Sequence, residues 1–288
     1  MRAVVYGAFD ALHSVSLWYV AAAFALYVLS LLAAAQRWRR ILGAMGHRVG
    51  FLDTLLAHAA GIFVNNVTPA SRLGGEACRI AAIGLRGHVG ATAATVSSVY
   101  DRLSELAPIG AVVLCSVPAL LSVGARLDRP LVAVAIALGA AAAAAVAYRR
   151  LLHDRAWWKG WRERIAPRAL DRRTVAAAVG YSSFVWAQDV ARLMVVVAAF
   201  GAQLTVPQAA MLSVVTIVGG LVPTVGGLGA IEGGLVAFLI LFGFRADTAA
   251  AMTAVERSIS YVFATSAGAS AFALVGGRTL WNATRSRS

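Results

Sequence analysis

Long apolar stretches separated by short polar breaks make up most of this 288-residue chain. The stretches that are each about long enough to cross a bilayer core as a helix are residues 17–35, 131–147, 174–200 and 248–276. Residues 90–123 predict one further long helix with a polar start. These helices are apolar on every side, and a soluble domain of this size could not bury them all. The pattern therefore predicts an all-α, polytopic integral membrane protein.

Two shorter apolar segments are interrupted before they could cross a membrane. Residues 51–67 run into a break rich in Gly and Pro, and a second break separates residues 209–222 from residues 230–243. Irregular backbone at membrane depth survives only where protein or water satisfies it. We therefore expect each break to turn the chain back as a re-entrant helix pair and to line a cavity.

The two breaks belong to an internal repeat. Pro69 in the first break and Pro223 in the second are 154 residues apart, and an acid–arginine pair follows each of them, Asp101-Arg102 and Glu256-Arg257. Each unit is predicted to cross the membrane an even number of times, and residues 131–147 add a single crossing between the two units. The second unit is therefore expected to be inverted relative to the first. A site is expected near the midplane between such repeats. The predicted divisions are 1–16 (N-terminal segment), 17–130 (first repeat), 131–173 (linking span and basic loop), 174–277 (second repeat) and 278–288 (basic tail).

Charge gives the expected orientation. The net charge of +13 could suggest a nucleic-acid partner, but the arginines are grouped by loop and no recognition module is present. They follow the first span (Arg37, Arg39, Arg40 and Arg48), fill the central loop 149–173 and recur in the tail from Arg278. Basic loops stay on the cytoplasmic side. We therefore expect a multi-pass plasma-membrane protein with its N-terminus outside and its C-terminus in the cytoplasm.

The residues at the breaks favour a phosphate site. Open glycine amides and helix ends attract anions, and the planar fork of arginine suits phosphate oxygens. The predicted lipid- or phosphate-binding residues are Arg72, Gly74, Gly75, Glu76, Asp101, Arg102, Glu105, Pro223, Gly226, Gly227, Gly229, Glu232, Glu256 and Arg257. The carboxylates among them are expected to hold the arginines when no ligand is bound. The alternative is a set of static ion pairs that fasten the helices together.

Secondary candidates are Asn65, Asn66, Arg79, Gln188, Asp189 and Arg192. Asp189 and Arg192 share one helix face and can pair with each other, which serves a structural role equally well. No catalytic residue, cofactor or metal site is predicted, because the five histidines form no ligand pattern and Cys78 and Cys115 are isolated.

Four motifs give the chain a family resemblance. They are Arg37-Trp38 after an early span, the segment Thr68–Arg79, the Asp101-Arg102 helix and the segment Pro223–Gly234. Together they resemble the lysylphosphatidylglycerol synthase transmembrane, or flippase-like, family, over residues 17–276. The resemblance implies a lipid translocase. Some members carry a cytoplasmic aminoacyl-transferase domain, and relatives accompany lipid-linked glycosyl transfer in archaea.

Two functions follow from these expectations. The first is translocation of an anionic phospholipid or a polyprenyl-phosphate-linked lipid between leaflets, without covalent chemistry. The second is a membrane enzyme, or a subunit of one, that transfers a group onto or from such a lipid. The candidate site offers carboxylates and arginines but no nucleophile constellation, which favours the first. The expected partners are a membrane lipid as substrate and a separate cytoplasmic transferase.

Overall fold

The computed structural model describes residues 11–12, 15–69, 73–126, 171–222 and 224–285. All regular structure in these residues is helical. The helices are α1 (Leu17–Ala44), α2 (Phe51–Val67), α3 (Leu73–Gly87), α4 (Ala91–Leu103), α5 (Leu106–Arg126), α6 (Arg172–Ala198), α7 (Val206–Gly219), α8 (Ala230–Leu241), α9 (Ala246–Arg257) and α10 (Ala264–Arg285). The predicted span 131–147, the loop 149–170, Arg72 and Pro223 lie outside the described residues.

Three helical stretches are long and apolar enough to cross a membrane, judged within the described ranges: Leu17–Ala44, Ala91–Gly124 and Ala246–Gly276. The predicted span 174–200 forms α6 but is not among them, since it carries Asp189 and Arg192 near its middle. Helices α7 and α8 are 14 and 12 residues long. At 1.5 Å per residue they extend only about 18–21 Å, which is too short for a core of about 30 Å.

Two sequence predictions need correction. The first span extends to Ala44, so Arg37 lies inside α1 and is fully buried, although it was predicted in a cytoplasmic loop. Residues 90–123 were predicted as one helix, but a turn at Ser104 and Glu105 separates α4 from α5. Pro108 explains this turn, because proline lacks the amide hydrogen that would bond to the Ser104 carbonyl.

The two halves exchange packing partners, because the short helix of each half lies on a long helix of the other half. Helices α1 and α6 run antiparallel: the Ser16 amide donates to the Ala199 carbonyl at 3.0 Å at one end, and Arg37 Nη1 donates to Ser182 Oγ at 2.8 Å near the other. The short helix α2 of the first half packs on α10 of the second, while α7 of the second packs on α5 of the first. The halves therefore interlock around a shared centre.

Both long helices that follow a break are distorted at the same place. The turn between α4 and α5 comes directly after Asp101-Arg102, and a π-helical turn, Ser258–Phe263, comes directly after Glu256-Arg257. Interruptions of this kind inside helices are frequently found at functional sites. Each acid–arginine pair is thus held on a helix end that faces the centre of the molecule.

Candidate functional site

A cavity of about 470 Å³ lies between the two halves. Both breaks reach it, the first through Asn65, Asn66 and Thr68 and the second through Thr224, Gly226 and Gly227. Its charged lining residues are Glu76, Arg102, Glu105, Asp189, Arg192, Glu256 and Arg257. Residues predicted from two distant parts of the sequence therefore line one cavity.

The two breaks touch each other at Gly226. This glycine has φ = 58°, and a Cβ placed on it would lie 2.9 Å from the Asn66 carbonyl oxygen and would clash with Cε2 of the Tyr261 ring. The Tyr261 hydroxyl donates to the same Asn66 carbonyl at 3.2 Å, and Asn66 Nδ2 donates to Thr265 Oγ1 at 2.9 Å. Only glycine allows this approach without strain.

We expect Gly226→Ala to lower the free energy of unfolding by about 1–3 kcal/mol, the usual strain of a left-handed non-glycine residue. Unfolding by sodium dodecyl sulfate in mixed micelles measures this change. The matched control is Gly180→Ala on α6, where a Cβ meets nothing within 4 Å. Alanine is the better helix former, so that variant gains about 0.5–1 kcal/mol instead. Equal behaviour of the two variants would contradict the contact between the breaks.

Two predicted glycines have roles other than presenting an open amide. The Gly75 amide already donates to Asn65 Oδ1 at 2.8 Å, and the Gly229 amide donates to Glu232 Oε2 at 2.7 Å. A Cβ on Gly75 would also collide with Asn65 and with the carbonyl of Gly61, so this glycine allows α2 and α3 to close against each other. Gly74, in the first turn of α3, does not line the cavity.

The first charged cluster comprises Arg37, Glu76, Arg79, Asp101, Arg102 and Glu105. Its inner part is Asp101, which accepts from Arg37 Nε at 2.7 Å and from Arg79 Nη2 at 2.9 Å. All three side chains are at most 2% exposed. Arg79 also stacks on Trp38, with its guanidinium carbon 4.3 Å from the ring centroid. This inner part is buried, and its three charged groups are joined by short ion pairs, which suits a fixed structural role. Arg79 Nε is the exception, since it has no partner among the described residues.

Arg102 forms the outer part of this cluster. It pairs with Glu76, and its Nη1 lies 3.1 Å from Glu105 Oε1. Glu76 also accepts a hydrogen bond from Ser98. The Arg102 side chain is 42% exposed and lines the cavity. A ligand could therefore reach this guanidinium and take over bonds that Glu76 and Glu105 now make.

The second charged cluster comprises Asp189, Arg192, Glu232, Glu256 and Arg257. Arg192 bridges Glu256 Oε1 and Asp189 Oδ1, each at 2.6 Å. Arg257 pairs with Glu232 at 2.7 Å, and its Nη2 donates to the Gly226 carbonyl at 3.3 Å. The Asp189–Arg192 pair is therefore not self-contained, because Arg192 joins α6 to α9 and lines the cavity.

The adjacent acid and arginine of each pair do not bond to each other. Asp101 bonds to Arg37 and Arg79, and Glu256 bonds to Arg192. Among the carboxylates expected to hold these arginines, Glu76 and Glu105 bond to Arg102, and Glu232 bonds to Arg257. Asp101 and Glu256 bond to other arginines instead. Neighbouring helical residues point about 100° apart, so each pair reaches two different partners. Asp101, Arg79, Gly229, Glu232 and Gln188 are not among the residues that line the cavity.

Sequence reasoning missed Arg37 and His58. Arg37 and Arg192 are 155 residues apart, the same spacing that separates Asp101 from Glu256 and Arg102 from Arg257. Extending the repeat by one more pair would have identified Arg37. His58 lines the cavity, is 9% exposed, and its Nδ1 has no hydrogen-bond partner in the described part of the chain. Nothing in the local sequence marks it, since it is a lone histidine on an apolar helix.

Apolar side chains surround the second break on the outside. Their exposed members are Val218, Leu221, Val222, Val225 and Leu228, with Val67 beside the first break. Val225 is 39% exposed and Leu221 is 60% exposed. Gly226 and Gly227, which directly follow Val225 in the sequence, line the cavity. An apolar rim therefore lies next to a charged interior.

Comparisons with known proteins identify the family of this chain. The family model described as the lysylphosphatidylglycerol synthase TM region matches residues 8–268, which contain both breaks and both charged clusters. A UPF0104 membrane protein of Pyrococcus horikoshii is 21% identical over 84% of this chain and 83% of its own length. Another, from Methanothermobacter thermautotrophicus, is 24% identical over 93% of this chain and 88% of its own length.

Proposed function

This chain belongs to the lysylphosphatidylglycerol synthase transmembrane family, and we propose that it moves a phosphate-bearing lipid between the two leaflets of its membrane. The substrate is an anionic phospholipid or a polyprenyl-phosphate-linked lipid. Its head group enters the central cavity, where Arg102 and Arg257 bind the phosphate. No covalent step is part of this proposal.

The observation that carries the proposal is the single cavity reached by both breaks and lined by arginines of both clusters. Arg102 is 42% exposed and Arg257 is 13% exposed, so each is more accessible than the buried Arg37 and Arg192. Charged groups inside a membrane are costly and are usually kept for function. Accessible arginines with exchangeable carboxylate partners fit a ligand that arrives and leaves.

The apolar rim supports a lipid rather than a water-soluble anion. The head group of a lipid needs a polar cavity, while its chains need apolar surroundings throughout the movement. Val218, Leu221, Val222, Val225 and Leu228 offer such surroundings next to the charged interior. A free phosphate or sugar phosphate would gain nothing from this rim.

The proposed topology is two inverted repeats with re-entrant pairs α2–α3 and α7–α8. The antiparallel packing of α1 on α6, the exchanged packing of the short helices and the shortness of α7 and α8 support it. In this topology the N-terminus and the α8–α9 turn face outward, while the start of α6 and the C-terminus face the cytoplasm. Half-helices from two repeats then meet near the midplane.

Cysteine labelling in intact cells tests this topology. After Cys78 and Cys115 are replaced by serine, we expect an impermeant maleimide to label Ala246→Cys from outside. Arg173→Cys is expected to react only after the membrane is permeabilised. Both positions are exposed, so access to the thiol depends on the side of the membrane alone. Labelling of Arg173→Cys in intact cells would contradict the inverted arrangement.

Lipid that stays bound during purification tests the proposed substrate class. We expect mass spectrometry of the detergent-washed, gel-filtered protein to find one phosphate-bearing lipid enriched over the bulk membrane composition. The double variant Arg102→Lys/Arg257→Lys, washed identically, is the matched sample and is expected to lose that enrichment. A bound lipid pool identical to the membrane in both samples would contradict a head-group site in the cavity.

A further inference from the structure

We infer that the lipid carries a hydroxyl-bearing, amine-free head group beyond its phosphate, and that His58 and Thr224 bind those hydroxyl groups in the central cavity. The inference rests on the proposed function, because it concerns the same site. It is tested by binding, which does not require the lipid to move.

The central cavity has room for more than a phosphate group. Its volume of about 470 Å³ lies within the range of about 300–1,000 Å³ found for pockets that enclose whole small molecules. The proposed phosphate ligands, Arg102 and Arg257, form only a small part of its lining. Much of the remaining lining therefore contacts the group that the phosphate carries.

The carboxylates of the cavity weigh against an amine on that group. An ammonium group binds best to a carboxylate that lacks another charged donor. When a phosphate takes over Arg102, Glu76 still pairs with Arg79 at 3.1 Å and Glu105 still pairs with Arg37 at 2.6 Å. In the second cluster, both oxygens of each carboxylate beside Arg192 already accept a hydrogen bond. The donors are Arg192 and Ser213 for Asp189, and Arg192 and Ser260 for Glu256.

His58 is a buried polar side chain in the wall of the cavity. It is 9% exposed, and its Nδ1 forms no hydrogen bond within the described part of the chain. The charges that act most strongly on it are those of Arg79 and Arg102. Burial beside two arginines disfavours a positive charge on the ring. A neutral imidazole donates through one nitrogen and accepts through the other, which matches a hydroxyl group.

Thr224 offers a second hydrogen-bonding group, from the break of the other half. Its Oγ1 is buried and has no partner among the described residues, and the residue lines the cavity. A hydroxyl in reach of an ionised carboxylate would donate to it, so no carboxylate of the cavity is in reach of Thr224. The other two threonines of the lining differ, because Thr68 donates to the Val64 carbonyl at 2.7 Å and Thr216 donates to the Ser213 carbonyl at 2.8 Å.

A head group that enters the cavity displaces water from these two side chains. Affinity is lost unless the ligand reproduces the hydrogen bonds of the displaced water. A hydroxyl group both donates and accepts, as water does, whereas a phosphate oxygen only accepts and an ammonium group only donates. The chemistry that fits His58 and Thr224 is therefore a polyol, such as glycerol or a sugar, joined to the lipid through its phosphate.

Competition between two lipids of equal charge tests this inference. Dioleoyl-phosphatidylglycerol and dioleoyl-phosphatidylethanol have the same chains and the same phosphodiester charge, but only the first has hydroxyl groups on its head group. In native mass spectrometry of the purified, detergent-washed protein with an equimolar mixture, we expect phosphatidylglycerol to bind about tenfold more tightly, as one or two neutral hydrogen bonds allow. Dioleoyl-phosphatidylethanolamine, which carries an amine, is expected to bind more weakly than phosphatidylglycerol.

Variants assign the preference to the two side chains. His58→Leu and Thr224→Val are each expected to lower the ratio of the two bound lipids by about threefold. His58→Gln, which can still donate and accept, is expected to keep most of the preference. Thr216→Val is the matched control in the same cavity, because its hydroxyl already bonds to the Ser213 carbonyl, and it is expected to keep the full ratio. A general loss of stability lowers the binding of both lipids and leaves their ratio unchanged.

A second pair of lipids separates the two sources of such a head group. Farnesyl phosphate joined to mannose and methyl farnesyl phosphate repeat the comparison on a polyprenyl chain. The inference expects a preference for the hydroxyl-bearing member in at least one pair, and the pair that is discriminated identifies the lipid class. Equal binding within both pairs, or phosphatidylethanolamine bound as tightly as phosphatidylglycerol, would overturn the inference and leave translocation intact. A preference that persists in both His58→Leu and Thr224→Val would overturn the assignment to these residues. If no lipid binds the wild-type protein better than it binds Arg102→Lys/Arg257→Lys, the phosphate site of the proposed function fails as well.

Discussion

Arg37→Ala is expected to destabilise the protein by about 3–5 kcal/mol, the range found when one partner of a buried ion pair is removed. Arg37 is fully buried and bonds to Asp101 at 2.7 Å, to Glu105 at 2.6 Å and to Ser182 at 2.8 Å. Without it, the first charged cluster is left with one excess negative charge in a dry site. Unfolding in mixed micelles, or the yield of folded protein, measures the effect.

Arg39→Ala is the matched control for this prediction. Arg39 lies two residues further along α1 and is exposed. A surface substitution of this kind changes stability by at most about 0.5 kcal/mol. If Arg37→Ala were as stable as Arg39→Ala, the first cluster would contribute no net stability. Its inner part would then not have the fixed structural role inferred from its burial and ion pairs.

Arg102→Lys and Arg257→Lys are expected to slow lipid translocation by about ten- to a hundredfold each while leaving folding nearly intact. Lysine keeps the positive charge but loses the planar fork that binds two phosphate oxygens. Hydrogen bonds to charged groups contribute about 1.5–3 kcal/mol, which corresponds to that range of rates. Lysine keeps a charged partner at both positions, Glu76 and Glu105 for residue 102 and Glu232 for residue 257, so neither substitution leaves a carboxylate unpaired. A fluorescent phospholipid and a dithionite quench in proteoliposomes measure the rate.

Arg245→Lys controls for the loss of an arginine fork as such. Arg245 binds both oxygens of Asp247, through Nε at 3.1 Å and Nη2 at 2.7 Å, but lies 84% exposed in the turn before α9. We expect this variant to move lipid at the parental rate. If Arg102→Lys and Arg257→Lys also moved lipid at the parental rate, these arginines would have a structural role, as in the alternative of static ion pairs that fasten the helices together.

The sequence predicted the helical membrane class and the residues of both breaks because both leave strong local signals. Apolar runs of defined length gave the helices, and α2 begins and ends at the predicted residues. Gly and Pro inside such runs gave the breaks. The family was identified from the same motifs, and the match over residues 8–268 confirms it.

The ion-pair partners could not be predicted because they join residues far apart in the chain. Arg37 and Asp101 are 64 residues apart, as are Arg192 and Glu256, and helix packing alone brings them together. The bond from the Gly75 amide to Asn65 likewise depends on how α2 packs on α3. The Gly229 amide differs, because its acceptor Glu232 lies only three residues further on, a capping contact that the local sequence could have indicated. Arg37 was assigned to a loop because a charged residue near the end of an apolar run usually lies outside the membrane.

The rate of lipid movement in proteoliposomes containing purified wild-type protein tests the central claim most directly. A phospholipid labelled in its chain and carrying an unmodified phosphate head group is followed after dithionite is added outside. We predict that vesicles with the wild-type protein lose more than half of their fluorescence quickly, while empty vesicles and vesicles with Arg102→Lys/Arg257→Lys retain the inner-leaflet half. Wild-type vesicles that retain the inner-leaflet half of their fluorescence, as empty vesicles do, would contradict the account.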